Sequence, residues 1–359
     1  MRKLKGSVAT AVLCVTPLLG QEANSGFDLR ATIAGQAVDS GLLTQHPRDG
    51  SGVAAGFRSV LYPTLKLSSH WVISGAIEAY SRPFFPEEFA TQGYGASIRV
   101  LQANIGYSQA WKNGSLVVRA GQISSAFGSF LLRYDDAENA LTDPPMQYGY
   151  YGKGITTLGL AGAQADLTLG KWDARAQFIN SSPANARSVF DNGQYGDWAG
   201  GVGYTIRQGL RVGLSGYRGP YLYSGDPFYD PGLPIRDLPA SAWGADVEWA
   251  RGHWNLLGEW QRFDLAYNEY PTLREDAGYV EARRVQHPRW YVAGRAGYLH
   301  TNFGFGGETY EAVAGFRPNT HQLVKLGYEL GRASGSNVVM GTVTVQLVTT
   351  VHPLSIAWN

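Results

Sequence analysis

Apolar and polar residues alternate one by one along most of this chain. Trp172, Ala174, Ala176 and Phe178 are interleaved with Asp173, Arg175 and Gln177. Trp243, Ala245, Val247 and Trp249 alternate with Asp246 and Glu248, and Trp254, Leu256 and Trp260 with Asn255, Glu259 and Gln261. Successive side chains of a strand point to opposite faces, so each segment predicts a strand with one apolar and one charged face. Helical periodicity is almost absent. The pattern predicts sixteen strands, over 27–38, 53–67, 70–80, 94–109, 115–124, 154–169, 172–180, 197–207, 210–221, 241–250, 253–265, 276–285, 289–300, 308–317, 321–331 and 337–351. The alternation falters at His352-Pro353, which leaves the register of the last strand open.

The connections differ by parity. Tight ones at Ser68-Ser69, Lys112–Gly114, Gly170-Lys171, Gln208-Gly209, Arg251-Gly252, Gln286–Pro288 and Pro318–Thr320 alternate with mostly longer ones. An all-β, transmembrane, antiparallel up-and-down β-barrel requires this arrangement, with short periplasmic turns, long extracellular loops and both termini on the periplasmic side. Trp71, Trp111, Trp172, Trp249, Trp254 and Trp290 flank the short turns, while Trp198, Trp243 and Trp260 sit toward the loops. Two aromatic girdles are expected of a barrel in lipid. A secreted soluble β-protein is the competing reading, and its tryptophans would ignore turn parity. Alternation assigns Phe57, Trp71, Ile73, Phe178, Val212, Leu214, Val247, Trp249, Leu256, Val292, Leu326, Val343 and Val345 to the lipid face.

Composition narrows the compartment. The chain has 359 residues, 16% of them charged and 46 of them Gly. That is less charge than the ~25% of an average soluble domain and more Gly than the ~7% usual elsewhere. Arg2, Lys3 and Lys5 precede an apolar run from Val8 to Leu19, which reads as a signal peptide over residues 1–22, with one barrel domain over 23–359. A short buried N-terminal helix is the competing reading. The single Cys, Cys14, lies inside that run, so disulfides, zinc-thiolate sites and a Cys nucleophile are not expected in the mature chain. Removing the leader cations leaves 27 basic against 29 acidic side chains, and no nucleic-acid partner is indicated.

Arg119-Ala120-Gly121-Gln122-Ile123 followed by Ala126-Phe127-Gly128, with a looser echo at Asn180-Ser181-Ser182-Pro183, resembles Gram-negative porins of the sixteen-stranded type, and within them the phosphate-selective group. The chain departs from that group in having only five Lys after leader removal, and it ends on Asn359 rather than on an aromatic residue. The resemblance implies a long third extracellular loop folded into the lumen, here the connection at about 125–153. It implies a passive channel for small hydrophilic solutes or ions in the outer membrane, in contact with lipid and lipopolysaccharide, with a homotrimer as the assembly. Small residues Ala199, Gly200, Gly201, Gly203, Gly213 and Gly216 could pack subunits together or ease barrel curvature.

Candidate site residues follow from both lines. The loop carries Arg133, Asp135, Asp136, Glu138 and Asp143, with Phe127, Phe130, Leu131, Leu132 and Met146 as apolar anchors. An exposed surface loop is the alternative. The inward wall is expected to hold Arg30, Arg58, Lys66, Arg119, Arg175, Arg295 and Arg317, balanced by carboxylates such as Glu78, Asp166, Asp173, Glu259 and Glu311. Acidic loop and basic wall would set a transverse field across a constriction; alternatively the charges pair and stiffen the wall. No His-Glu-x-x-His motif, nucleophile elbow or complete nucleotide loop occurs, so no metal, cofactor or enzymatic activity is expected, and an outer-membrane lipid hydrolase is the remaining catalytic alternative.

Overall fold

The computed structural model describes residues 25–40, 53–81, 96–148, 155, 158–179, 196–221, 238–267, 271–336 and 339–358. The proposed leader, Cys14 and the 180–183 run lie outside them. Sixteen antiparallel strands close into one barrel, each bonded to its sequence neighbours and β1 to β16. They are β1 (Ser25–Ser40), β2 (Val53–Lys66), β3 (Trp71–Tyr80), β4 (Ser97–Trp111), β5 (Gly114–Ile123), β6 (Leu160–Leu169), β7 (Trp172–Ile179) and β8 (Asp197–Arg207). The circuit continues with β9 (Leu210–Pro220), β10 (Pro239–Arg251), β11 (Trp254–Leu265), β12 (Leu273–His287), β13 (Trp290–Thr301), β14 (Gly306–Phe316), β15 (Gln322–Ala333) and β16 (Val339–Trp358). Closure leaves no strand edge unpaired.

Alternation decides which residues face outward. Leu214 is 63% exposed, Val280 64% and Leu326 55%, although each lies within a paired strand. Of the thirteen residues assigned to the lipid face, all but the half-buried Trp249 are exposed. Two aromatic rims bound this surface. Trp71 packs on Tyr107, Trp172 on Tyr204 and Trp290 on Phe316 at the short-turn end, with ring centroids 5.1, 4.6 and 4.3 Å apart. Phe178 meets Trp198 at 4.8 Å toward the other end.

Three expectations are corrected. The strand expected from residue 154 begins only at Leu160: Gly159 takes φ +82°, which ends the extended run, and Ile155 is fully buried against the inner wall. Proline does not stop β16, which pairs with β1 out to Ser25↔Trp358; it sits in a bulge of β16, where His352 and Pro353 together stand opposite Arg30 of β1. The small-residue patch of β8 and β9 is not one outer face. Ala199 is buried, Gly201 lines the lumen, and Gly203 and Gly213 open space for the Arg211 guanidinium and Asp246 carboxylate.

Candidate functional site

The described residues of the connection between β5 and β6 lie inside the barrel. Its backbone is stitched to the inner wall strand after strand: the Ala126 amide donates to Gln177 Oε1 (2.9 Å) on β7 and the Gly128 amide to Ser215 Oγ (3.3 Å) on β9. Further along, Arg133 donates to the Tyr279 hydroxyl (3.0 Å) on β12 and Arg58 of β2 donates to the Tyr134 carbonyl (3.1 Å). Apolar contacts reinforce the polar ones. Phe127 packs on Phe263 with ring centroids 5.7 Å apart, Phe130 and Leu131 pack with Tyr148 and Tyr279, and Leu141 packs with Tyr291, Val313 and Val348. An exposed surface loop is thereby replaced by a lining of the lumen.

The Phe127-Gly128 motif has a physical reason. Gly128 has φ +78°, and a Cβ there would lie 1.9 Å from the Tyr148 hydroxyl and 2.8 Å from Glu259 Oε1. Only Gly lets the chain turn inward so close to this cluster. Glu259 accepts five hydrogen bonds: from Ser129 N (2.8 Å) and Oγ (3.1 Å), Tyr148 OH (2.6 Å), Gln261 Nε2 (2.9 Å) and Tyr279 OH (3.2 Å).

A second anchor holds the acidic turn. Arg58 meets Asp136 at 2.8 Å and Glu78 at 3.7 Å, Tyr62 donates to Asp135, and Lys325 donates to the carbonyls of Asp136 (2.7 Å), Asn139 (2.8 Å) and Leu141 (3.0 Å). Burial pushes the Asp136 carboxyl above its ordinary range, while Arg58 and Lys325 pull it down. A third anchor joins Arg295 to Glu311 (2.6 Å), Glu281 (3.7 Å) and the Asp143 carbonyl (2.6 Å), with Thr142 donating through N and Oγ1 to Glu311 (both 2.7 Å).

The expected site residues therefore divide. Arg133, Asp135, Glu138, Arg30, Arg119 and Arg175 line one cavity of ≈ 1010 Å³. Asp136, Asp143, Arg58 and Arg295 do not: they are buried between loop and wall, where Arg58 meets Asp136 and Arg295 meets Glu311 and the Asp143 carbonyl. A field between Arg58 and Asp136 across open lumen is thus corrected to a tether, because pairing is the low-energy state of two desolvated charges. Lys66 ends β2 at the short-turn rim, and Arg317 lies one residue beyond β14, so neither is a mid-wall residue. Other cations are also paired, Arg119 with Asp166 (2.8 Å) and Arg211 with Asp173 and Asp246 (both 2.6 Å). Among the described residues, Arg133, Asp135, Glu138, Lys171, Arg175 and Glu248 line the cavity with no opposite charge within 4 Å, Asp135 and Arg133 being held by hydrogen bonds with Tyr62 and Tyr279. Tyr62, Gln177 and Gln261 were missed as wall anchors of the loop, and their inward parity was the available signal; Tyr148, within the loop, carried no such signal.

A closed sixteen-stranded barrel whose longest described connection folds inward and narrows the lumen is a porin-like fold. No family model and no curated protein matches the chain. Solved structures do: a loop-deletion mutant of OmpT, an outer membrane protein of Vibrio cholerae, superimposes with TM-score 0.64 at 13% identity over 91% of this chain and 100% of that one. An anion-selective porin from Comamonas acidovorans gives 0.59 at 12% over 91% and 100%, and the outer membrane channel DcaP of Acinetobacter baumannii 0.58 at 11% over 92% and 99%. The likeness is one of fold.

Proposed function

We propose that this chain is an outer-membrane porin, a passive diffusion channel for small hydrophilic solutes or ions. The observation that carries this is the inversion of ordinary burial: an apolar exterior between two aromatic rims surrounds a lumen lined by charge. A soluble protein exposing so much contiguous apolar surface would aggregate. The neighbours named as porins and channels support the same reading. Export through a cleaved signal peptide at residues 1–22 and residence in lipid and lipopolysaccharide complete the proposal. A homotrimer fits too, since one Vibrio cholerae OmpT structure is described as a trimer form.

Selectivity, in this reading, comes from the charges left over after pairing. The cavity is lined by six basic residues (Arg30, Arg119, Arg133, Lys171, Arg175, Arg211) and six acidic ones (Asp135, Glu138, Asp166, Asp173, Asp246, Glu248). Bulk charge therefore gives no preference for phosphate or any other anion. Asp135 and Glu138 of the loop share the cavity with Arg30, Arg119 and Arg175 of the wall, and Glu138 and Arg175 are charges outside any ion pair that a permeating ion meets unneutralised. In a planar bilayer with a salt gradient, Glu138→Gln should move the reversal potential toward anions and Arg175→Gln toward cations. Identical reversal potentials for wild type and both variants would remove these groups from the permeation path.

A further inference from the structure

The short-turn end carries a charge pattern of which only Lys171 also borders the lumen cavity. The seven short connections span 67–70, 112–113, 170–171, 208–209, 252–253, 288–289 and 317–321. Each, taken with the residue on either side, holds one Lys or Arg and no Asp or Glu. The first is Lys66; the other six are Lys112, Lys171, Arg207, Arg251, Arg289 and Arg317. No ion pair involves these six among the described residues, and all but the half-buried Arg317 are exposed.

Depth and geometry say what such a collar faces. Five of the seven windows also hold a tryptophan (Trp71, Trp111, Trp172, Trp254 and Trp290), so the cations stand just beyond the aromatic rim. That is headgroup depth for a barrel in a bilayer. Arg284 shows the arrangement in detail, its guanidinium 5.3 Å from the Trp254 ring centroid on the outward face. At the opposite end, Arg262 and Arg274 stand among carboxylates: Arg274 meets Asp264 at 3.4 Å, and Arg262 lies 3.9 Å from Asp264 and 4.0 Å from Asp276. Among the described residues, carboxylates stand beside these loop-end cations, whereas the seven short connections carry cations alone. Hairpins repeat every two strands, so successive cations stand ~10 Å apart around the circumference. That spacing suits an annulus of separate headgroups better than one compact ligand.

We propose that this collar binds the anionic phosphate headgroups of the lipid leaflet lying against the short-turn end. The inference rests on the barrel residing in a membrane but not on its conducting, so a sealed barrel would defeat the channel reading and leave this one standing. The folded protein would be reconstituted into phosphatidylcholine vesicles and into vesicles with about one third phosphatidylglycerol, and the temperature at which its heat-modifiable gel mobility is lost compared at roughly 20 mM and about 1 M NaCl. The expected result is a higher midpoint with phosphatidylglycerol at low salt, abolished at high salt. A combined Lys112→Gln, Lys171→Gln, Arg207→Gln, Arg251→Gln, Arg289→Gln variant should lose the difference, and Arg262→Gln with Arg274→Gln should retain it. Equal wild-type midpoints in the two lipids at low salt would overturn the proposal. So would survival of the difference in the five-site variant, or stabilisation of the detergent-solubilised protein by soluble dextran sulfate with no response to lipid.

Discussion

Glu259 receives five donors in a site closed to solvent, and its substitution by Gln puts an amide NH2 where only acceptors fit. Leaving such donors unmatched costs ~1–3 kcal/mol. Glu259→Gln should therefore lower the unfolding free energy in detergent by that amount and make the open-channel current noisier as the loop loosens; unchanged stability together with unchanged noise would remove Glu259 from the anchor. On the outer face, Val212→Arg or Val247→Arg should each cost ~2–4 kcal/mol near the bilayer midplane. Thr205→Arg, facing the cavity, should cost less than about 0.5 kcal/mol. Ser215, although inward by parity, is a poor comparison because its hydroxyl accepts the Gly128 amide. Alternation told which face each residue occupies but not who meets it: Arg58 and Asp136 lie 78 positions apart, and nothing local in the sequence joins them.

Strands were legible because two environments enforce them. Each outward residue meets an apolar medium and each inward one a polar lumen, so an error of one position would reverse both faces. Where that double constraint lapses, legibility lapses too. Ahead of β6, Ile155 and Leu158 are apolar because they pack inside the barrel, and so they imitate a strand. The alternation falters at His352-Pro353 because the extra residue of a bulge stands there, and a bulge shifts the period by one without ending the strand. The loop was recognisable by its length and apolar content, while its route around the wall depended on tertiary partners such as Lys325 and Glu311. Deleting residues 134–143 should raise single-channel conductance by widening the lumen. It should also lower the thermal midpoint, since it uncovers Arg58, Arg295, Glu311 and Lys325. A deletion that leaves conductance unchanged would place the loop off the ion path.

At the scale of the whole molecule, the proposed channel carries ions beside the inward loop, past Glu138. The chain offers a direct probe, because Cys14, in the proposed leader, is its only cysteine. Glu138→Cys would place one thiol on the exposed, lumen-facing side of the loop. The measurement is single-channel current in a planar bilayer before and after adding a bulky methanethiosulfonate reagent. The account predicts a stepwise fall in current for Glu138→Cys and none for wild type; an unchanged current in channels whose complete labelling is verified by mass would contradict it.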